Sequence, residues 1–322
     1  MNVLITGANG FIGYNLISTM SLIKDLKLTV ISRKNINKFK HFNIEIINDD
    51  ILNINKNYHK NQVKNIDIVI HIAGLTKSIN SNNFYISNTL TTVELLKFAK
   101  KVNAKQFIFI SSLAACGPSI NKTPDETSTP RPVSNYGLSK LIAEKMVIKS
   151  KIPYTIIRPP AVFGPGDKDI LSYFKMVKGG ISLISGELTN SYSLLFVDDL
   201  VNFIIKILNN QLALNQTFFL SYEQPHTILD ILSAIEQAED KKSLKITIPK
   251  FLIKSISPII NLFYRVSGYP PLLNSDKLSE ILQPSWKCSA AKAASILQFK
   301  PKKTFHEAVK ETYKWYKEQR WL

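Results

Sequence analysis

The sequence predicts an α/β fold: a doubly wound parallel sheet followed by a smaller, mostly helical C-terminal lobe. Three observations carry this. Strand-like apolar runs alternate with helix-period segments through the first half of the 322 residues. Several of those runs are apolar throughout, as strands covered on both faces must be. The first run leads directly into three glycines at three-residue spacing, Gly7, Gly10 and Gly13.

Strands are expected over residues 3–6, 28–32, 44–48, 66–72, 107–111 and 154–158, with helices over 11–23, 83–102 and 135–149 between them. Pro159-Pro160 and Gly164-Pro165-Gly166 break this alternation. Beyond them a helix is expected over 197–208, with Asp198 and Asp199 as capping residues, and a further strand over 218–220. Helices over 227–238, 250–266, 290–297 and 305–318 complete the second lobe. The expected division is 1–162 for the nucleotide-binding domain, with 195–222 returning to it, and 163–322 for a substrate-binding lobe.

The segment 250–266 is amphipathic. Leu252, Ile253, Ile256, Ile259, Ile260 and Phe263 fall on one face, and Lys250, Lys254, Ser257, Asn261 and Arg265 on the other. Two readings follow: a helix packed on the lobe core, or an interfacial helix resting on anionic lipid.

Composition narrows the class. A 45% hydrophobic content without a run of about 20 apolar residues describes a globular chain rather than a spanning one. The first strand starts at residue 2, so no leader is expected, and two widely separated cysteines, Cys116 and Cys288, fit a reduced, cytoplasmic setting. The five histidines form no metal-ligating pair, so no metal site is expected. The net charge of +17 comes from lysines scattered along the chain, not from a basic stripe interleaved with aromatics. No nucleic-acid partner is expected, and peripheral contact with an anionic membrane stays open.

The glycine turn points to a dinucleotide. Gly7 permits the tight turn, Gly10 lets a diphosphate approach the backbone, and Gly13 lets the helix pack on the strand. The start of that helix, with Asn9, Phe11 and Ile12, offers backbone N–H groups to phosphates. At the end of the second strand, nineteen residues beyond Gly13, stands Ser32, where an acid would hold the ribose hydroxyls of NAD. Arg33 and Lys34 follow, two cations able to hold a 2′-phosphate. NADP is therefore the preferred cofactor, with NAD as the alternative.

A second constellation carries chemistry. Tyr136 and Lys140 lie one helical turn apart on one face. A lysine beside a phenol favours the phenolate and would lower its pKa from about 10, which suits a general acid/base. Twelve tyrosines in a lysine-rich chain produce such spacing by accident, and Tyr313–Lys317 is a second instance. Context separates them. Upstream of Tyr136 a buried strand ends in Ser111-Ser112, placing hydroxyls at the carboxyl edge of the sheet.

With the glycine turn, these residues resemble the extended short-chain dehydrogenase/reductase family, the NAD-dependent epimerase/dehydratase group and its 3β-hydroxysteroid dehydrogenase-like branch. The resemblance implies Tyr136 as acid/base, Lys140 as its activator and ribose clamp, and Ser112, aligned through Gly117, as the donor to substrate. It extends to His71-Ile72-Ala73-Gly74 beside the cofactor, Asn88 opening the next helix, Arg158-Pro159-Pro160 at the lobe junction, Val197-Asp198-Asp199, and the C-terminal pattern around Trp286 and Pro301. It implies further cofactor contacts at Asp50, Ile51, Ile110 and Pro159.

Departures from the family pattern matter. The acid pair of the family's dehydratases is replaced by Leu113 and Ala114, the asparagine of many sugar-nucleotide members by Ala161, and a common tyrosine by Cys116. The expected activity is therefore hydride transfer between NAD(P) and a secondary alcohol or ketone of an apolar, sterol-like substrate. A nucleotide-sugar epimerase with retained cofactor is the alternative, and a non-catalytic dinucleotide-binding regulator the third reading. The oligomeric state stays open, with a homodimer as one candidate.

Overall fold

The computed structural model describes residues 1–33, 37–58, 65–185, 187–249, 251–252 and 275–322. Its centre is a seven-stranded sheet. We label these strands β1 (Asn2–Thr6), β2 (Lys27–Ser32), β3 (Ile44–Asn48), β4 (Ile68–His71), β5 (Gln106–Ile110), β6 (Tyr154–Arg158) and β7 (Gln216–Phe219). Their order is β7-β6-β5-β4-β1-β2-β3, and every neighbouring pair is parallel. The order reverses between β1 and β4, which opens a crevice at their carboxyl ends.

Strand alternation sorts the core into two layers. Val3 and Ile5 of β1 pack with Leu16 and Ile17 and with Leu200 and Ile204 on one face. Leu4, Val69 and Phe107 pack with Leu95, Phe98 and Ala143 on the other. Helix Phe11–Met20 and helix Val197–Lys206 thus cover one side, and Thr91–Lys101 and Asn135–Lys149 the other. A third cluster, around Phe163, Phe174, Phe196, Ile231 and Tyr316, gathers the later helices Leu171–Gly179, Ile228–Glu239 and Phe305–Glu318.

Some expected boundaries shift. The helix expected over 83–102 is composite: a short turn Asn82–Phe84, a π-helical stretch Tyr85–Leu90, then Thr91–Lys101. The π-stretch contains Asn88, and such widened turns concentrate where a side chain must be re-aimed. Asp198 and Asp199 are not capping residues. The N-cap is Phe196, and the two acids lie within the first turn, where a carboxylate still favours the helix dipole. Asp199 instead accepts the Lys302 N–H at 2.9 Å, tethering the chain that enters the last helix. The amphipathic segment 250–266 lies outside the described residues except for Phe251 and Leu252, both exposed.

Candidate active site

Because the central strands are all parallel, the residues that follow them lie along one edge. Gly7 follows β1, Arg33 follows β2, Asp50 and Ile51 lie beyond β3, Ile72–Gly74 follow β4, Ser111 and Ser112 follow β5, and Pro159 follows β6. Ser32 and Ile110 are themselves the last residues of β2 and β5. Lys34 lies outside the described residues.

The glycine turn is tight where the sequence requires it. Gly7 has φ +79°, and a Cβ there would come within 2.6 Å of the Ala73 nitrogen. A Cβ on Gly13 would sit 2.2 Å from the Gly7 carbonyl oxygen, so strand and helix approach as only glycine allows. The ten-residue helix that follows begins at Phe11, with no side-chain cap at Gly10 and no acid in its first turn. Its first N–H groups are thus open to an external acceptor, which fits a cofactor diphosphate.

At the ribose end, buried Ser32 accepts a hydrogen bond from Asn9 Nδ2 at 3.1 Å. The exposed Arg33 guanidinium lies 3.7 Å from Asp50 Oδ2. Asp50 also caps the short helix Ile51–Asn53 by accepting the Leu52 N–H at 2.9 Å. A surface pair of this kind is weak, so Arg33 can be drawn off by a stronger anion. The sequence reading missed Lys38. Its ammonium donates to the Asn9 carbonyl at 3.2 Å and lies over the rings of Tyr14 and Phe39. No motif marked it.

Behind the turn runs a chain of buried hydrogen bonds. The Ala73 N–H meets Thr6 Oγ1 at 3.3 Å, and Thr6 Oγ1 meets His71 Nδ1 at 2.7 Å. His71 Nε2 meets Thr92 Oγ1 at 2.9 Å, and the Thr92 hydroxyl donates to the Asn88 carbonyl at 2.6 Å. Counting protons fixes the tautomer. The Thr92 hydrogen is committed to Asn88, so Nε2 carries the imidazole proton and Nδ1 accepts from Thr6. Burial and the Lys140 charge pull the His71 pKa down to about 3, so the ring is neutral. His71 thereby links the ends of β1 and β4 to Asn88. Asn88 itself holds the β4 loop through the Leu75 N–H at 2.7 Å and the Leu75 carbonyl at 3.0 Å.

The structure separates the two serines. Ser111 turns inward and donates to Glu144, which also accepts two bonds from Arg158, of 2.9 and 2.6 Å. Ser112 caps the short helix Leu113–Cys116, accepting from the Ala114 N–H at 3.1 Å, and lies close enough to the Tyr136 phenol to favour its ionised form. Lys140 is buried and donates to the Ile110 carbonyl at 2.8 Å, with its ammonium over the Phe109 ring.

One expectation fails here. The Tyr136 pKa is raised rather than lowered. Burial pushes the phenol up to about 12, opposed first by Ser112, with smaller effects from Glu280, Lys277 and Asp169. Burial likewise pulls Lys140 down to about 8, with Glu144 opposing. The second tyrosine–lysine pair is packing: the Tyr313 ring stacks on Phe174 at 6.3 Å.

Residues 3–218 match the NAD dependent epimerase/dehydratase family. The chain belongs to that family. It is an enzyme of the extended short-chain dehydrogenase/reductase type. It is 29% identical to a UDP-glucose 4-epimerase of Vibrio cholerae over 97% of this chain and 94% of that protein. It is 23% identical to a ceramide reductase of Caulobacter vibrioides over 99% of this chain and 96% of that protein. Its fold matches the crystal structure of a UDP-glucuronic acid 4-epimerase from Bacillus cereus in complex with NAD, with a TM-score of 0.80, 21% identity and 99% of both chains covered.

Proposed function

We propose that this enzyme inverts a carbinol carbon of a nucleotide-linked sugar by oxidation and re-reduction, with Ser112, Tyr136 and Lys140 as its catalytic residues. One observation carries the reading: the Tyr136 phenol lies within reach of Ser112 on the edge that also holds the glycine turn and Lys140. A bound nicotinamide dinucleotide supplies the hydride acceptor and donor. Ser112 holds the substrate oxygen. Tyr136 takes the hydroxyl proton as the carbonyl forms and returns it when the alcohol is restored, so no proton is consumed over the cycle. Leu113 and Ala114 offer no second acid or base, which argues against dehydration.

The relative from Vibrio cholerae supports this reading over the sterol-like substrate and the steroid dehydrogenase-like branch that the Arg158-Pro159-Pro160 segment suggested. Simple reduction of a lipid ketone is the second reading, supported by the similarity to a protein named ceramide reductase along almost the whole chain.

For the cofactor, the lack of an acid at Ser32, with Arg33 and Lys38 nearby, supports NADP; the Bacillus cereus protein with its bound NAD supports NAD. The division into a nucleotide-binding domain, 1–162 with 195–222, and a substrate lobe belongs to the same proposal. So does peripheral contact with anionic lipid.

The test is product analysis by NMR with UDP-glucose or UDP-N-acetylglucosamine. Epimer formation without net change in cofactor absorbance is expected. Stoichiometric NAD(P)H consumption with a ketone substrate, and no epimer, would replace this reading with the second.

A further inference from the structure

Helix Asn135–Lys149 carries Tyr136 as its second residue, so the placement of its first turn is the placement of the phenol. A helix start leaves backbone N–H groups without partners, and one capping side chain satisfies one or two of them. Ser134 accepts the Gly137 N–H at 3.0 Å. The other two donors are met from far along the chain. Asp276 Oδ1 accepts the Asn135 N–H at 2.6 Å and Asn135 Nδ2 at 2.9 Å, and Asp276 Oδ2 accepts the Tyr136 N–H at 3.1 Å.

The same short helix, Ser275–Ile281, supplies a second carboxylate. Glu280 Oε1 accepts the Ser134 hydroxyl proton at 2.7 Å, and Oε2 pairs with Lys277 at 2.9 Å. The Glu280 carbonyl accepts from Trp286 Nε1 at 2.9 Å, which fixes this helix to the strand that follows. On the opposite side, the Tyr85 hydroxyl donates to Asn135 Oδ1 at 3.0 Å. Two carboxylates thus meet the positive end of the helix dipole, where negative charge is stabilising.

We infer that Asp276 is a positioning residue for Tyr136: a carboxylate from the C-terminal part of the chain that sets the phenol against Ser112 by holding the first turn of its helix. The inference rests on the catalytic role proposed above for Tyr136. It adds a coupling that role does not require, between the residues around 276–286 and the acid/base. Asp276 touches backbone N–H groups and the Asn135 amide, and it acts through Tyr136.

Asp276→Asn tests this with little change of shape, because the amide nitrogen that replaces one oxygen cannot accept the N–H it faces. Full-length protein is assayed with UDP-glucose. The expected result is a kcat loss of about tenfold with KM within about twofold. In a Tyr136→Phe background the same change should cost nothing further, since the group it positions is gone. Equal losses in both backgrounds would reduce Asp276 to a structural residue and overturn the inference. Amide hydrogen exchange gives a readout free of substrate: protection at 135–137 should fall at least about tenfold while the central sheet is unchanged. Unchanged exchange there would also overturn it. If Tyr136→Phe keeps full activity, or UDP-glucose is not turned over, the catalytic reading is what fails, and exchange alone judges the Asp276 contact.

Discussion

The Lys140 ammonium donates to the carbonyl of Ile110, 2.8 Å away at the end of β5. The lysine that the family resemblance pairs with the phenol is therefore held by the sheet, while the phenol lies beside Ser112. Burial keeps the Tyr136 phenol protonated near neutral pH.

That state has a pH signature. The phenol ionises at about 12 in the folded protein, against an ordinary value of 10.0. A raised pKa means the folded state binds the proton more tightly. Its contribution to stability is present below the ordinary value and is lost as pH rises through the folded one. Ultraviolet difference titration of the wild type against Tyr136→Phe should show no extra tyrosinate below about pH 10. A midpoint under pH 9 would contradict the burial that places the phenol so high.

Tyr136→Phe removes the hydroxyl and keeps the ring that packs near Phe84. Activity should fall at least about 100-fold, the scale of general acid/base catalysis, with dinucleotide binding retained. Tyr313→Phe should change activity little, because that ring stacks on Phe174. Comparable losses in the two variants would remove Tyr136 from its role.

The two adjacent serines should separate by readout. Ser112→Ala should lower kcat, with a stability loss no larger than that of one helix cap, about 1 kcal/mol. Ser111→Ala should instead lower the melting temperature and leave kcat nearly unchanged, because it strips a donor from the buried Glu144–Arg158 pair. Glu144→Gln should be more severe still, about 3–5 kcal/mol of stability, since it leaves the Arg158 charge buried without its partner. A stable Glu144→Gln variant would show that Arg158 finds another anion.

How much of this was legible depends on sequence distance. The glycine turn is local, so three spaced glycines after an apolar run were enough to place Gly7 and Gly13. The parallel order followed from strands apolar throughout. Ser112 was preferred to Ser111 from its spacing to Gly117, and Ser111 donates to Glu144. What escaped needs contacts across the fold. Asp276 and Glu280 meet the helix of Tyr136 from about 140 residues away, and no pattern in either segment announces the other. Lys38 escaped because no motif spacing marks it, whereas Arg33 directly follows β2. The lowered phenol pKa was expected from spacing alone, and burial, which spacing cannot report, decided the opposite sign.

Cofactor choice can be read by titration. Arg33 and Lys38 both lie near the Ser32–Asn9 bridge, one paired to Asp50 and one to the Asn9 carbonyl. A charge-assisted bond contributes roughly 1.5–3 kcal/mol, so Arg33→Ala or Lys38→Ala should weaken NADP about 10- to 100-fold and leave NAD nearly unchanged. Tighter binding of NAD than NADP by the wild type would refute the preference.

The last prediction concerns a surface. Strands Ile181–Ser185 and Leu244–Ile248 form a parallel ribbon in which Ile181 pairs with Leu244 and Leu183 with Ile246. All four side chains are exposed, as are Phe251 and Leu252 just beyond. Paired residues on parallel strands share a face, so these four make one apolar patch. Lys241 donates to the Lys178 carbonyl at its edge, and the chain carries a net charge of +17. An apolar patch beside cations on a basic protein suits an anionic bilayer surface, and reaction on a lipid substrate would require such contact. Co-sedimentation with vesicles containing phosphatidylserine should be strong at low salt and fall as salt screens the attraction. Leu183→Ser with Ile246→Ser should weaken it without loss of fold by circular dichroism, because neither side chain is in the core. Protein that stays in the supernatant at low salt would rule out the membrane. Concentration-dependent self-association abolished by the same double change would assign the patch to a second copy of the chain.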